Sequence, residues 1–308
     1  MGTGAALPAR GRFPSAQLLN IHERLYLVDC GEGTQERLRQ AEVNFNRIGN
    51  IFISHMHGDH YLGLMGLISS MHLNGRLSEL DIYGPPELRE VVEIQLRASQ
   101  TWLRYPLRIH ALEPVTGAII YQDQQVEVIT LKLKHRIPTT GFLFRERPQP
   151  RRLRKDRLMD VPHYARMAIK NGEDLHLPDG KLIPNAELTL DPPAPRSYAY
   201  CSDTAYAPEL VSALAGVDLL YHEATFTDEL SARARETCHS TAKQAAMIAR
   251  DANVRGLLLG HFSSRYKDNR VLLDEAIPVF PSTRLAGEGL TFQIDQPGSV
   301  ENSDRGMT

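Results

Sequence analysis

Six times along the chain a short apolar run ends at a histidine or an aspartate. Residues 25–28 lead to Asp29, 51–53 to Ser54 and His55, 126–133 to His135, 198–200 to Asp203, 219–221 to His222, and 257–259 to His261. Runs of this length, bounded by Gly, Pro or polar residues, read as strands. Between them lie helical patterns at 61–72, at 86–99 behind a starting proline, at 240–252 behind a Ser240 or Thr241 cap, and at 268–277 with Pro278 just past the end. Strands alternating with helices predict a layered α/β fold, in which ligands gather at strand ends. Here the strand-end residues are of metal-binding type.

The densest of these ends is Ser54-His55-Met56-His57-Gly58-Asp59-His60. Three histidines and an aspartate inside six residues cannot form one face of a helix or strand, whose periods would scatter them. A loop behind a strand can fold them around cations, and Gly58 is placed to give the tight turn that sends His57 and Asp59 apart. Imidazole and carboxylate are ligands that zinc accepts, and manganese or cobalt would satisfy the same set. An ion takes about four ligands, so two ions need more than this loop supplies. His135, Asp203 and His261 are the right residue types to complete both shells, and the two oxygens of Asp203 allow it to bridge. His22, His72, His110, His163 and His176 lie in polar segments or on helix flanks and are expected to be exposed or structural.

Two zinc ions about 3.5–4 Å apart suit phosphodiester cleavage, because they activate water at neutral pH and neutralise charge at pentacoordinate phosphorus. The departing sugar oxygen still needs a proton or a positive partner. His222-Glu223 and His239 lie outside the ligand set, near strand ends or helix starts, and are candidates for that role; helix capping is the alternative for Glu223.

Bulk composition narrows the class without selecting it. The 308 residues are 42% hydrophobic and 23% charged, ordinary for a globular chain with one large core. A net charge of −2 gives no general attraction for nucleic acid, so any RNA affinity needs a local basic patch. Residues 144–196 offer one: they turn basic, then Pro-rich, without a clear strand. The segment reads as an inserted arm on a catalytic domain spanning 1–296, followed by a disordered tail at 297–308. With little apolar content to bury, Arg151, Arg152, Arg154, Lys155 and Arg157 are expected in solvent, either free to neutralise RNA phosphates or simply a solvated helical excursion with no partner.

No window approaches the ~20 apolar residues of a membrane span, and the N-terminus lacks the apolar core of a signal peptide. Cys30, Cys201 and Cys238, odd in number and scattered, point to a reducing cytoplasm and away from a disulfide framework. Residues 61–99, with Met65, Met71 and nearby Trp102, offer an apolar surface for an interface, or are simply buried.

His55-Met56-His57-Gly58-Asp59-His60 resembles the signature of the metallo-β-lactamase superfamily, and the chain is similar throughout to the ribonuclease Z family. Narrower marks are Gly2-Thr3-Gly4 with Ala6-Leu7-Pro8, Asp29-Cys30-Gly31-Glu32-Gly33-Thr34-Gln35, His222-Glu223-Ala224-Thr225, His239-Ser240-Thr241 and Gly260-His261-Phe262-Ser263-Ser264-Arg265-Tyr266. The resemblance implies an αββα metallo-β-lactamase sandwich with an inserted basic arm. It implies two zinc ions per subunit, one on His55, His57 and His135, the other on Asp59, His60 and His261, with Asp203 bridging. Asp59 would also hold and deprotonate the attacking water, and His239, supported by Glu223, would serve the leaving 3′ oxygen.

The implied reaction cuts precursor tRNA after the discriminator nucleotide, leaving a 3′-hydroxyl on the tRNA and a 5′-phosphate on the trailer. The implied assembly is a homodimer in which the arm of one subunit grips tRNA cleaved by the other. The chain departs from the family pattern in two places: Met1 abuts the Gly2-Thr3-Gly4 segment, which a short strand normally precedes, and the arm lacks the family's Gly-Pro pair. A related hydrolase of this fold (a small phosphodiesterase, lactonase or thioesterase) would need neither the arm nor His239-Ser240-Thr241. A non-catalytic RNA-binding relic would be expected to have lost ligands, and none is lost.

Overall fold

The apolar runs fall into two sheets. In the first, β1 (Gln17–Ile21), β2 (Arg24–Val28), β3 (Ile48–Phe52), β4 (Leu80–Gly84) and β5 (Leu107–Ala111) lie side by side in chain order. β1 and β2 form an antiparallel hairpin, and the later neighbours are parallel. The hairpin turn holds His22 and Glu23 at φ 49° and 65°, the geometry of a two-residue turn, so His22 is an exposed turn residue. The second sheet holds β6 (Ile119–Gln122), β7 (Val126–Lys132), β8 (Thr140–Glu146), β9 (Ser197–Cys201), β10 (Leu219–Glu223), β11 (Leu257–Gly260) and β12 (Thr283–Leu285), again in chain order. β9 to β12 run parallel, and β8 is antiparallel to β9. The computed structural model describes residues 1–295, so the expected tail at 297–308 lies outside the described residues.

Alternation along each strand decides the layers, because successive side chains face opposite sides of a sheet. In the first sheet Ile51, Ile53, Leu80 and Ile82 bury in an aliphatic cluster with the helical residues Leu64, Leu67, Ile68, Met71, Leu88 and Val92. The second sheet turns Ala199, Leu220, Leu257 and Leu259 toward a cluster with Ala245, Ala246, Ala249 and Leu272. Between the sheets the filling is aromatic: the Phe52 ring lies 5.5 Å from Phe142 and 5.3 Å from Phe144, and Tyr26 lies 6.0 Å from Phe144. The result is an αββα sandwich of the metallo-β-lactamase type.

The helices are α1 (Thr34–Gln40), α2 (Gly58–Tyr61), α3 (Leu64–Leu73), α4 (Glu87–Ala98), α5 (Ser231–Thr237), α6 (Ala242–Asp251) and α7 (Arg270–Ala276) in this body. The single helix expected over 61–72 is two. Gly63 stands at the break, where its N–H donates to the Cys30 carbonyl at 2.9 Å and a Cβ would lie 2.2 Å from the Gly31 oxygen. Backbone contact there rules out a side chain. α6 starts as expected: Thr241 and Gln244 form a reciprocal capping box. Met71 is core, Met65 is partly buried, and Trp102 is 87% exposed. Among the described residues no helix is long and apolar enough to cross a membrane.

Glu146–Arg196 forms the greater part of a second compact unit. Phe144 and Arg145, expected in the arm, instead continue β8 and pair with Tyr198 and Ser197. The segment also has strands, contrary to expectation: Arg152–Leu153 pairs with Thr189–Leu190, and Leu175–His176 with Leu182–Ile183. Val161, Ile169, Leu175, Ile183 and Leu188 make a small core that composition alone understated. That core corrects the basic run too. Only Arg152 and Lys155 are exposed. Arg151 binds Asp191 and donates to Thr189 Oγ1 at 2.7 Å, Arg154 donates to the Thr189 carbonyl at 3.2 Å, and Arg157 pairs with Asp160 at 3.0 Å.

Because Phe52 fills the seam between the two sheets, Phe52→Ala leaves a cavity that neither sheet can close. We expect a loss of about 3–5 kcal/mol of stability, read from the midpoint of denaturant unfolding.

Candidate metal centre

Parallel strands present their C-terminal ends at one edge, and five of them deliver the site. β2 ends at Asp29, β3 at Ser54 and His55, β9 at Asp203, β10 at Glu223 and β11 at His261; the antiparallel β7 adds His135. Asp29, Asp203 and His261 adopt left-handed backbone, at φ 56°, 59° and 54°. Such turns swing the side chain out of the strand's alternation, and Asp and His tolerate them better than most residues. Gly58, by contrast, is not left-handed and opens α2. The close approach that the loop needs is made by Gly31, where a Cβ would lie 2.4 Å from the Asp59 carbonyl oxygen.

The ligand-type atoms converge in two groups joined by Asp203, and His239 also comes close enough to Asp203 and His261 to form a third set among the described residues. His55 Nε2 lies 3.0 Å from His57 Nδ1, which lies 3.2 Å from His135 Nε2. Asp203 Oδ2 faces this group, 3.7 Å from His55 Nε2 and 3.6 Å from His135 Nε2. Its other oxygen faces the second group, 3.2 Å from His60 Nε2 and 3.0 Å from His261 Nε2, both of which lie 3.5 Å from Asp59 Oδ2. Tetrahedral zinc, with bonds of about 2.0–2.1 Å, needs ligand atoms roughly 3.3–3.4 Å apart, and both groups sit around that spacing. Moreover, His60 Nε2 and His261 Nε2 are buried without a hydrogen bond. Orphaned imidazole nitrogens facing a carboxylate fit a cation.

Behind these atoms lies a layer of hydrogen bonds that the sequence reading missed. The fully buried Asp29 accepts from Ser54 N at 2.8 Å, Ser54 Oγ at 3.0 Å, His60 Nδ1 at 2.7 Å and Tyr200 OH at 2.6 Å. Its position at the end of an apolar run was the available signal. His135 Nδ1 donates to the carbonyl of Cys238, and the Ala6 N–H donates to Asp59 Oδ2 at 2.8 Å. Glu223 is no helix cap: buried completely, it accepts from Thr204 N at 2.7 Å, Ser240 N at 3.1 Å, Thr225 Oγ1 at 2.6 Å and His239 Nδ1 at 2.9 Å. Strand alternation turns His222 the other way, into the core, where its Nδ1 donates to the Glu223 carbonyl.

The charges follow from burial and pairing. Burial holds His55, His57 and His135 below the usual imidazole pKa, which leaves them neutral, the form that binds metal. Burial also opposes charge on His60, but Asp203 and Asp29 override it and raise the pKa. Asp203 and Asp59 are held well below the carboxylate range: burial works against it, and the neighbouring His261 and His60 prevail. For His239, burial lowers the pKa but the Glu223 carboxylate raises it to about 9.

A cleft of about 570 Å³ opens onto both groups, lined by Asp59, His57, Asp203, His239, His261, Phe226 and three guanidinium groups, Arg136, Arg233 and Arg265. Arg136 directly follows His135 in the chain, a neighbour that the sequence reading passed over. Elsewhere, His110 pairs with Asp81 at 2.7 Å, His72 Nδ1 accepts from Arg104 N, and His163 and His176 lie in the second unit with the arginines at 151–157.

Comparison with known proteins gives three informative likenesses. The chain is 47% identical to a ribonuclease Z of Phocaeicola vulgatus over 96% of each protein. Its structure matches the human tRNase Z short form with a TM-score of 0.70 and 28% identity, covering 96% of this chain and 97% of the other. The metallo-β-lactamase fold protein YhfI of Bacillus subtilis matches with a TM-score of 0.65 at 19% identity, covering 94% and 95%, a likeness of fold alone. A family model, that of the anti-Pycsar protein Apyc1, matches residues 1–147.

Proposed function

The chain belongs to the ribonuclease Z family, and from that membership we propose that it is a metal-dependent endoribonuclease removing 3′ trailers from precursor tRNA. The observation that carries this reading is the pair of ligand groups sharing Asp203 in one cleft with the His239–Glu223 pair. His55, His57 and His135 would hold one ion, Asp59, His60 and His261 the other, and Asp203 both. With zinc bound, the ions supply water activation and neutralise charge on phosphorus.

The chain's own residues then divide the work. Asp59, steadied by the Ala6 N–H, holds the attacking water and accepts its proton. His239 commits Nδ1–H to Glu223 and keeps Nε2 for the departing 3′ oxygen, to which it gives a proton. Water adds to phosphorus after the discriminator nucleotide and the bond to the 3′ oxygen breaks, leaving a 3′-hydroxyl on the tRNA and a 5′-phosphate on the trailer. Arg136, Arg233 and Arg265 give the cleft cationic walls suited to the neighbouring phosphates.

The deciding experiment is a gel of labelled precursor tRNA cut by the purified chain. Cleavage at the discriminator with these end groups is the expected result. Hydrolysis of bis-p-nitrophenyl phosphate with intact tRNA would point to a small-substrate hydrolase. Within the active enzyme, Asp203→Ala should lose both metals and His261→Ala should mainly weaken one. His239→Ala should keep two metals while turnover falls on the order of 10²–10⁴-fold. Loss of zinc from that variant would show that His239 is a ligand.

For the arm, Arg152 and Lys155 are the exposed charges of the basic run and the ones free to meet RNA phosphates. Phosphate contacts position a duplex without reading its sequence, which suits an enzyme that accepts many tRNAs. Replacing both with alanine should raise KM for precursor tRNA and cut the slope of log affinity against log salt by about 2. Hydrolysis of the small phosphodiester should stay at the parent rate.

The working form is a homodimer in the cytoplasm. Leu73, Leu77 and Trp102, exposed by 81%, 73% and 87%, support an apolar interface on the core, and buried Cys30 and Cys201, both free thiols, fit a reducing compartment. Light scattering should give near twice 34.6 kDa, and Trp102→Asp should shift it toward the monomer.

A further inference from the structure

We infer that Asp29 is a shared anchor for both cation sites, fixing the tautomer of His60 in one ligand group and, through the Ser54 hydroxyl, of His55 in the other. The inference rests on the two-metal reading above and concerns a residue outside both ligand groups.

Proton counting carries it. A carboxylate only accepts, so each of its four partners must donate. His60 therefore carries its proton on Nδ1, which leaves the lone pair on Nε2, the atom that faces Asp203 and Asp59. Ser54 has one proton and gives it to Asp29, so its oxygen must accept from the His55 ring, whose Nδ1 lies 2.9 Å away. That leaves the lone pair of His55 on Nε2 as well, facing Asp203 Oδ2 and His57. One carboxylate thus sets one imidazole in each group. A buried acid serving only to tie β2 to β3 and β9 would need the Ser54 N–H and Tyr200 contacts but neither histidine.

Asparagine at this position offers one acceptor oxygen to four donors, and its amide hydrogens must face at least one of them. In Asp29→Asn the rings of His60 and His55 lose the partner that excludes the wrong tautomer. The test strips the full-length chain of metal, titrates zinc back against a chromophoric chelator, and follows cobalt(II) in the visible. The parent should bind two ions; a smaller number would overturn the two-metal reading itself, whatever the variants do. With two ions in the parent, Asp29→Asn should lower both affinities, each by about 10–100-fold, and alter the cobalt spectrum at both equivalents.

His60 gives its single Nδ1 proton to Asp29 at 2.7 Å, so the 3.3 Å approach of Ser54 Oγ to the same ring adds little. Ser54→Ala therefore keeps the hold on His60 and cuts that on His55, and it should weaken one site and leave the other at the parent value. Tyr200→Phe removes a donor from the same carboxylate without touching either ring, and keeps the stacking on Tyr221 at 5.1 Å. Its two affinities should match the parent. An Asp29→Asn protein that loses affinity at one site or neither overturns the inference, as does Ser54→Ala acting on both or neither. A Tyr200→Phe loss as large as that of Asp29→Asn would mean general loosening and overturn it too. Should Asp29→Asn fail to fold, Ser54→Ala and Tyr200→Phe decide the matter.

Discussion

Burying this many ionisable groups at the ends of two sheets is possible only because each is held by another. Asp203 is 3% exposed, and a carboxylate so placed without partners would cost several kcal/mol. Its two oxygens face histidines on opposite sides, which offsets that cost and divides the cluster into two groups. The same burial keeps His55, His57 and His135 neutral while the paired carboxylates favour charge on His60. One side of Asp203 is thus arranged as free imidazole ligands, and on the other the buried Nε2 atoms of His60 and His261 converge on its second oxygen without a hydrogen bond. Positive charge belongs in that space.

The backbone contributes a second constraint. Ala6, Asp29, Asp203, Cys238 and His261 all stand at positive φ, and each either touches the cluster or holds a residue that does. A non-glycine residue in this region carries strain on the order of 1–3 kcal/mol, retained only where the surroundings over-determine it. Cys238 shows why it is retained. As the left-handed residue that ends α5, it turns its carbonyl to His135 and delivers His239, the next residue, to Glu223. One turn of chain therefore sets His135 and His239 together. A regular helix end would place neither.

Much of this was legible beforehand because the strands that matter are short, apolar and terminated by the functional residue itself. Asp203, His135 and His261 were identifiable at strand ends, and the cluster from His55 to His60 could belong to no regular face. What escaped was of two kinds. Asp29 stands in sequence among the strand ends of metal-binding type, and Ser54 beside His55, but hydrogen-bond partners distant in sequence leave no periodic trace to separate a ligand from the residue that holds one. Tyr200 was read as strand filling, which its ring is; only its hydroxyl, at 2.6 Å from Asp29, belongs to the site. The arm misled for the opposite reason. Its arginines suggested a solvated run, but the small core formed by Val161, Ile169 and Leu188 is spread too thinly along the chain to appear as a pattern, and it draws Arg151, Arg154 and Arg157 into internal contacts.

The two sheets repeat one device with different ends. At the close of β2, Asp29 holds His60 directly and reaches His55 through the Ser54 hydroxyl. At the close of β10, Glu223 holds His239 directly and reaches His261 through the Thr225 hydroxyl, 2.6 Å from the carboxylate and 3.0 Å from the ring. The proton logic is the same: a hydroxyl that donates to a carboxylate must accept from the imidazole behind it, which frees Nε2 of His261 as it frees Nε2 of His55. The difference lies in what the directly held histidine does. On the first sheet it belongs to a ligand group of the proposed centre, so Asp29 would serve cation binding. On the second it is His239, outside the ligand set in the proposed mechanism, so Glu223 ties the residue that moves a proton to one that grips an ion. In that mechanism a shift at either member would be felt by the other through a single buried carboxylate, and the leaving-group proton would be kept in register with the ligand groups across the cleft.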